Sequence, residues 1–193
     1  MICKRTATAQ PGAFQTRAED GNLYIEGYFS VFDSRYWLWD EAYETIERGA
    51  FEGQTTQDVR ALVNHDSTLV LGRTTAGTLE LREDERGLWG RITINQADQD
   101  AMNLYERVKR GDVSQCSFGF DILEQDVEYR EDGPTVWHIR KVKLYEVSVV
   151  TFPAYEDTAV EARKRELGDI REKKRENWRR KMRARLKGED HGA

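Results

Sequence analysis

At 193 residues, with 30 Lys+Arg against 35 Asp+Glu and a formal charge of -5, the chain has the size of one ordinary domain plus an appendage. It is polar for a globular chain, 38% hydrophobic and 34% charged, but five Trp, eight Tyr and seven Phe supply bulky surface for a core and exclude wholesale disorder. No run approaches the ~18 apolar residues of a membrane span, the first nine residues are too polar for a signal peptide, and Cys3 and Cys116 are too few for a disulfide framework or a four-cysteine zinc site. A soluble, intracellular protein with reduced thiols is expected.

Residues 23–32 alternate in character, with Leu23, Ile25, Phe29 and Val31 on one face, and predict a strand. Residues 58–64 alternate in the same way. Residues 78–82 and 87–94 flank the polar stretch 83–86 and predict a hairpin. A helix is predicted over residues 98–110, where Ala101, Leu104, Tyr105 and Val108 recur at helical spacing. Acids open that segment, and Lys109 and Arg110 close it before Gly111, which suits both ends of a helix dipole. Two β-rich runs, 115–124 and 136–151, surround the turn Glu131-Asp132-Gly133-Pro134, and Pro153 is expected to end the second.

Charge is unevenly distributed. Residues 161–187 hold 13 Lys/Arg and 5 Asp/Glu, a local +8, which leaves 17 basic and 30 acidic residues, or -13, elsewhere. Apolar residues recur through this segment to Trp178, Met182 and Leu186, so one basic amphipathic helix is predicted. Such a helix can pack as a solvated face or act as a docking arm for an acidic scaffold, for nucleic acid or for its own body. Residues 188–193 are expected to fray. The organisation expected is an N-terminal segment (1–20), a main domain (21–158) and a basic helical arm (159–193), in an α+β or β-barrel fold.

Of three histidines, His191 falls in the terminal stretch and His138 within an alternating strand. His65 follows the apolar Leu62-Val63 where a strand runs into a loop, a place that holds a side chain rigidly while letting it reach solvent. A histidine at a strand end also commonly just caps or fills. The run Ser114-Gln115-Cys116-Ser117-Phe118-Gly119-Phe120 offers hydroxyls and a thiol that need a base, and His65 is the one to hand. Strand alternation turns Cys116 and Ser117 to opposite faces, so only one of them can meet it. Glu146 stands among apolar neighbours in residues 144–155 and must be paired or exposed: either it binds a neighbouring Lys or Arg, or it orients His65. No metal-ligand spacing is present, and no cofactor is expected.

Five elements occur in order over about 130 residues: Ile25-Glu26-Gly27-Tyr28; residues 44–51 (ETIERGAF); Asn64-His65-Asp66 with Leu71-Gly72-Arg73-Thr74; Cys116-Ser117-Phe118-Gly119-Phe120; and residues 144–154 (LYEVSVVTFPA). Together they resemble the prohead maturation proteases of tailed bacteriophages, a family similar to the herpesvirus assemblin proteases. The resemblance implies a compact β-barrel ringed by helices and a serine endopeptidase. Such an enzyme works inside the assembling procapsid in the host cytoplasm, removes scaffold segments of the major capsid protein and cleaves itself.

By position, Ser117 would be the nucleophile and His65 the general base. The herpesvirus relatives use a second histidine as third member, and Glu146 is taken for that role here. Asp66 is the poorer choice, because it is the base's immediate neighbour. Ser114 is the fallback nucleophile, Cys116 a minor alternative, and Arg73 a candidate for the oxyanion. Self-association as a dimer is known for the herpesvirus relatives, and no feature here predicts it. The rival reading is a non-enzymatic capsid scaffold or nucleic-acid-binding assembly factor acting through the 161–187 helix.

Overall fold

A computed structural model describes residues 3–5, 14–152 and 157–186. The strands are β1 (Cys3–Arg5), β2 (Phe14–Glu19), β3 (Asn22–Val31), β4 (Tyr36–Trp39), β5 (Ala42–Ile46), β6 (Arg60–Val63), β7 (Asp66–Arg73), β8 (Leu79–Glu83), β9 (Gly87–Ile94), β10 (Gln115–Glu128) and β11 (Thr135–Val150). Two α-helices, α1 (Gln99–Arg110) and α2 (Asp157–Leu186), complete the described elements with one 3₁₀ turn, Thr74–Ala76. The chain divides into two units, Met1–Tyr155 and Glu156–Ala193.

The first unit is a mixed α+β body built on two sheets. One is antiparallel, in the order β2-β3-β9-β8; the other runs β1-β10-β11-β5-β4, with β6 on β11 and β7 on β6. The closed barrel ringed by helices is not what forms. Each sheet ends in strands that pair with no strand of the other, and one helix rather than a ring accompanies the body among the described residues. Residues 14–19 pair along their length with β3 and are thereby tied into the sheet.

Local chemistry explains the elements that were legible. Asp98 caps α1 by accepting from the N–H groups of Asp100 and Ala101, and Gly111 closes it in the left-handed conformation at φ 87°. The β8–β9 hairpin pairs Leu79 with Ile92 and Glu83 with Leu88. One apolar cluster draws on both sheets and α1, including Ile25, Phe29, Phe51, Leu88, Ile92, Leu104, Phe118, Val147 and Val149. Phe118 stacks on Phe120 at 4.9 Å and meets Phe51 edge-on at 5.6 Å. Each such side chain stabilises the body by roughly 1.5–3 kcal/mol on burial.

β11 sets the frame for the rest. It runs antiparallel to β10 along most of its length. Its first part pairs in parallel with β5 (Thr135 to Ile139) and its last part in parallel with β6 (Glu146 to Val149). The strand predicted over residues 58–64 therefore stops at Val63. Asn64 and His65 then turn the chain into β7, a strand whose polar start Asp66-Ser67-Thr68 carries no alternation to announce it.

In the second unit, α2 is a 30-residue helix, as predicted, with Trp178 60% exposed and Met182 partly exposed. No described helix is long and apolar enough to cross a membrane. The expected frayed stretch 188–193, His191 and Pro153 lie outside the described residues.

Candidate active site

Directly opposed residues of an antiparallel pair share a face, and neighbours along a strand alternate. The register opposes Ser117 to Ser148 and Gly119 to Glu146. These four residues therefore stand together on one face of the β10–β11 pair, while Cys116, Phe118, Val147 and Val149 point the other way into the apolar cluster. Cys116 is fully buried there, its Sγ 3.2 Å from the Tyr28 carbonyl, and desolvation pushes its thiol far above the usual range. A thiolate is costly in that environment, so the face and the chemistry both separate Cys116 from the serine side.

His65 reaches this face from the β6–β7 turn. Asn64 and His65 both have positive φ, 49° and 61°, the pattern of a two-residue hairpin turn with left-handed central residues. Asn accepts that conformation readily, whereas a histidine held there costs on the order of 1 kcal/mol, which the surroundings must offset. Asn64 anchors the turn to the end of β11: its backbone N–H donates to Val149 O at 3.0 Å, and its side-chain Oδ1 accepts from Thr151 N–H at 2.8 Å.

The result is a 2.6 Å contact between His65 Nδ1 and Glu146 Oε1, joining groups 81 residues apart. A carboxylate only accepts, so the hydrogen sits on Nδ1 and Nε2 is left as the basic nitrogen. Nε2 is buried and has no hydrogen-bond partner among the described residues. The other oxygen of Glu146, Oε2, accepts from Ser148 Oγ–H at 2.6 Å. Glu146 lies across Gly119, where a Cβ would come within 2.5 Å of Oε1 and 3.0 Å of Cγ. A glycine in the strand is what lets the carboxylate pass over it.

Of the residues expected from sequence, His65, Ser117 and Glu146 thus meet on one side of one sheet. The structure forms the His65–Glu146 contact and leaves His65 Nε2 without a hydrogen-bond partner among the described residues; in free enzymes such contacts often tighten only when substrate binds. Ser117 and Ser148 are 0% exposed and the side chains of His65 and Glu146 are nearly covered.

Ser114 is exposed in the loop before β10. Asp66 is engaged elsewhere than at His65, accepting from the backbone N–H and hydroxyl of Thr68 at 2.8 and 2.6 Å. The Arg73 guanidinium is held by Asp58 through contacts of 2.6 and 2.7 Å, which keep that carboxyl down at about 2. His138 pairs with Glu47 at 2.6 Å. No group of three or more His, Cys, Asp and Glu suited to a metal occurs among the described residues.

Three contributors were not singled out from the sequence: Asn64, Gly119 and Ser148. A glycine inside a strand and a serine two positions from a buried acid were the available signals.

Comparison with known proteins gives a consistent picture. The profile of the family described as caudovirus prohead serine protease matches residues 12–173. The chain is 31% identical over 164 residues to the prohead protease of Enterobacteria phage HK97, a match spanning 82% of this chain and 68% of that one. It is 24% identical over 151 residues to the prohead protease of Escherichia phage T5, spanning 76% of this chain and 65% of the relative. No solved structure matches the chain.

Proposed function

The chain belongs to the caudovirus prohead serine proteases, and from that premise we propose that Ser117 is its nucleophile, His65 its general base and Glu146 the group that orients and balances the imidazole. It is a capsid-maturation protease that acts on capsid proteins within the procapsid. The observation that carries the assignment is the 2.6 Å contact of His65 Nδ1 with Glu146 on the face that also bears Ser117.

The chemistry is acyl transfer. Ser117 Oγ attacks the scissile carbonyl carbon while its proton passes to His65 Nε2; the C–N bond then breaks as that proton moves to the leaving amine. Water, deprotonated by the same nitrogen, releases the acyl-enzyme. Glu146 stays ionised throughout and stabilises the imidazolium. The oxyanion falls to backbone N–H groups, since Arg73 would first have to leave Asp58 to serve it.

The substrate is proposed to be the scaffold segment of the major capsid protein, together with the protease itself, in the host cytoplasm. Residues 159–193 form the recruiting arm in this scheme: a basic helix with Trp178 exposed suits an acidic partner segment. A kinship with the herpesvirus assemblin proteases is part of the same proposal.

The test is co-expression with the coat protein, wild type beside Ser117→Ala, and mass spectrometry of both chains. New coat and self fragments that vanish in the variant are expected. Cleavage that survives Ser117→Ala overturns the nucleophile and moves it to Ser114 or Cys116, and identical uncut masses in both favour the scaffold reading.

A further inference from the structure

We propose that Ser148 is a positioning residue for catalysis: it clamps the second oxygen of Glu146 so that the first stays on His65. The inference rests on the site assignment above. The Ser148 hydroxyl lies 2.6 Å from Glu146 Oε2, is 0% exposed, and stands directly across the ladder from Ser117.

A glutamate has three side-chain torsions, and fixing one oxygen leaves the carboxylate free to swing about that contact. Two donors on opposite oxygens remove the freedom. Glu146 has them: His65 at Oε1 and Ser148 at Oε2, both 2.6 Å. Its stem crosses Gly119, where there is no side chain to lean on, so the two hydrogen bonds and not packing against a Cβ define where the carboxylate sits. Ser148 is in turn held by strand geometry, being flanked by the buried Val147 and Val149 and opposed to Leu62 in parallel register. The hydroxyl has one hydrogen and gives it to Glu146, so it cannot also act as an acid toward substrate. Its effect is exerted through Glu146 and His65.

Loss of orientation lowers kcat by about 10- to 100-fold, the range seen when outer partners of an active group are removed. KM stays near its wild-type value, since Ser148 does not touch the peptide.

The experiment compares wild type, Ser148→Ala, Ser148→Thr and Ser117→Ala on the coat protein, with kcat and KM measured alongside thermal unfolding. In the Ser117→Ala background, which cannot turn over, ¹⁵N-histidine NMR follows the Nδ1–H of His65, identified among three histidines by its loss in His65→Ala. The expected result is a folded Ser148→Ala with the kcat loss at near wild-type KM, a displaced Nδ1–H signal, and rescue to within about threefold by Ser148→Thr, which keeps the hydroxyl. Wild-type kcat in Ser148→Ala, or an Nδ1–H signal indifferent to the change, overturns the clamp. So does abolition of cleavage by Ser148→Ala with survival in Ser117→Ala, which makes Ser148 the nucleophile. Should Ser148→Ala fail to fold, Thr against Cys, a weak donor close to serine in size, carries the same comparison. Failure of the site assignment is read separately, as cleavage surviving Ser117→Ala.

Discussion

Gly119→Ala tests the geometry of the site without removing any of the groups proposed to take part in the chemistry. The added methyl would lie 2.5 Å from Glu146 Oε1 and 3.0 Å from Cγ. Non-bonded carbon contacts settle near ~3.5 Å, so the carboxylate has to retreat by about 1 Å or the two strands have to part. The free end of a glutamate normally yields cheaply, but this one is held at 2.6 Å by both His65 and Ser148. Hydrogen bonds of this kind fail beyond about 3.2 Å, so a retreat of that size breaks at least one of them.

The stability cost is that of a modest overpacking, about 1–3 kcal/mol. For a body of this size that is a fall in Tm of roughly 3–10 °C. Displacing an orienting group by about 1 Å costs on the order of 100-fold in rate. The assay is cleavage of the coat protein by purified Gly119→Ala beside a thermal melt, repeated in a Glu146→Ala background. There the clash is gone, so the second substitution should restore most of the lost stability, a coupling that independent sites do not show. A Gly119→Ala enzyme with wild-type Tm and a rate within twofold of wild type refutes the reasoning, as does strict additivity of the two changes.

Three further outcomes are expected. Glu146→Gln keeps the shape but exchanges one accepting oxygen for a donor, so it cannot accept from both His65 and Ser148; a loss of about 100- to 10,000-fold in kcat with the fold retained is expected, and activity within fivefold of wild type contradicts the role. Cys116, whose thiol is driven up by burial, should resist iodoacetamide near pH 8 in the native protein and react only on unfolding, which mass spectrometry of the alkylated chain decides. Asp58, held at about 2 by Arg73, contributes stability that is complete above the ordinary carboxylate value of 3.8 and is lost as pH falls toward 2. Asp58→Asn should therefore be slightly less stable than wild type at neutral pH and converge with it in acid, and a difference that persists below pH 2 argues against the pair.

What was legible along the chain was whatever short-range patterning encodes. Helix α1 announces itself through Asp98, its apolar spacing and Gly111, and the β8–β9 hairpin through alternation around a polar turn. Alternation in residues 115–120 also turned Cys116 away from Ser117, as the core side of Cys116 bears out. The ordered motifs containing His65, Ser117 and Glu146 pointed to a family that the chain does belong to. β7 was missed because a polar strand start leaves no period to count, and the closed barrel was expected from likeness where strand order decides closure.

Only the tertiary structure decided how the site is put together. His65 and Glu146 are 81 residues apart, and nothing local says that β6 lies parallel to the end of β11. That pairing, with the Asn64 anchor, delivers the histidine to the carboxylate. The antiparallel register then sets Gly119 under Glu146 and Ser148 across from Ser117. Register is a long-range quantity, since a one-residue slip sends every side chain to the other face, and it is set by the whole sheet rather than by any segment within it.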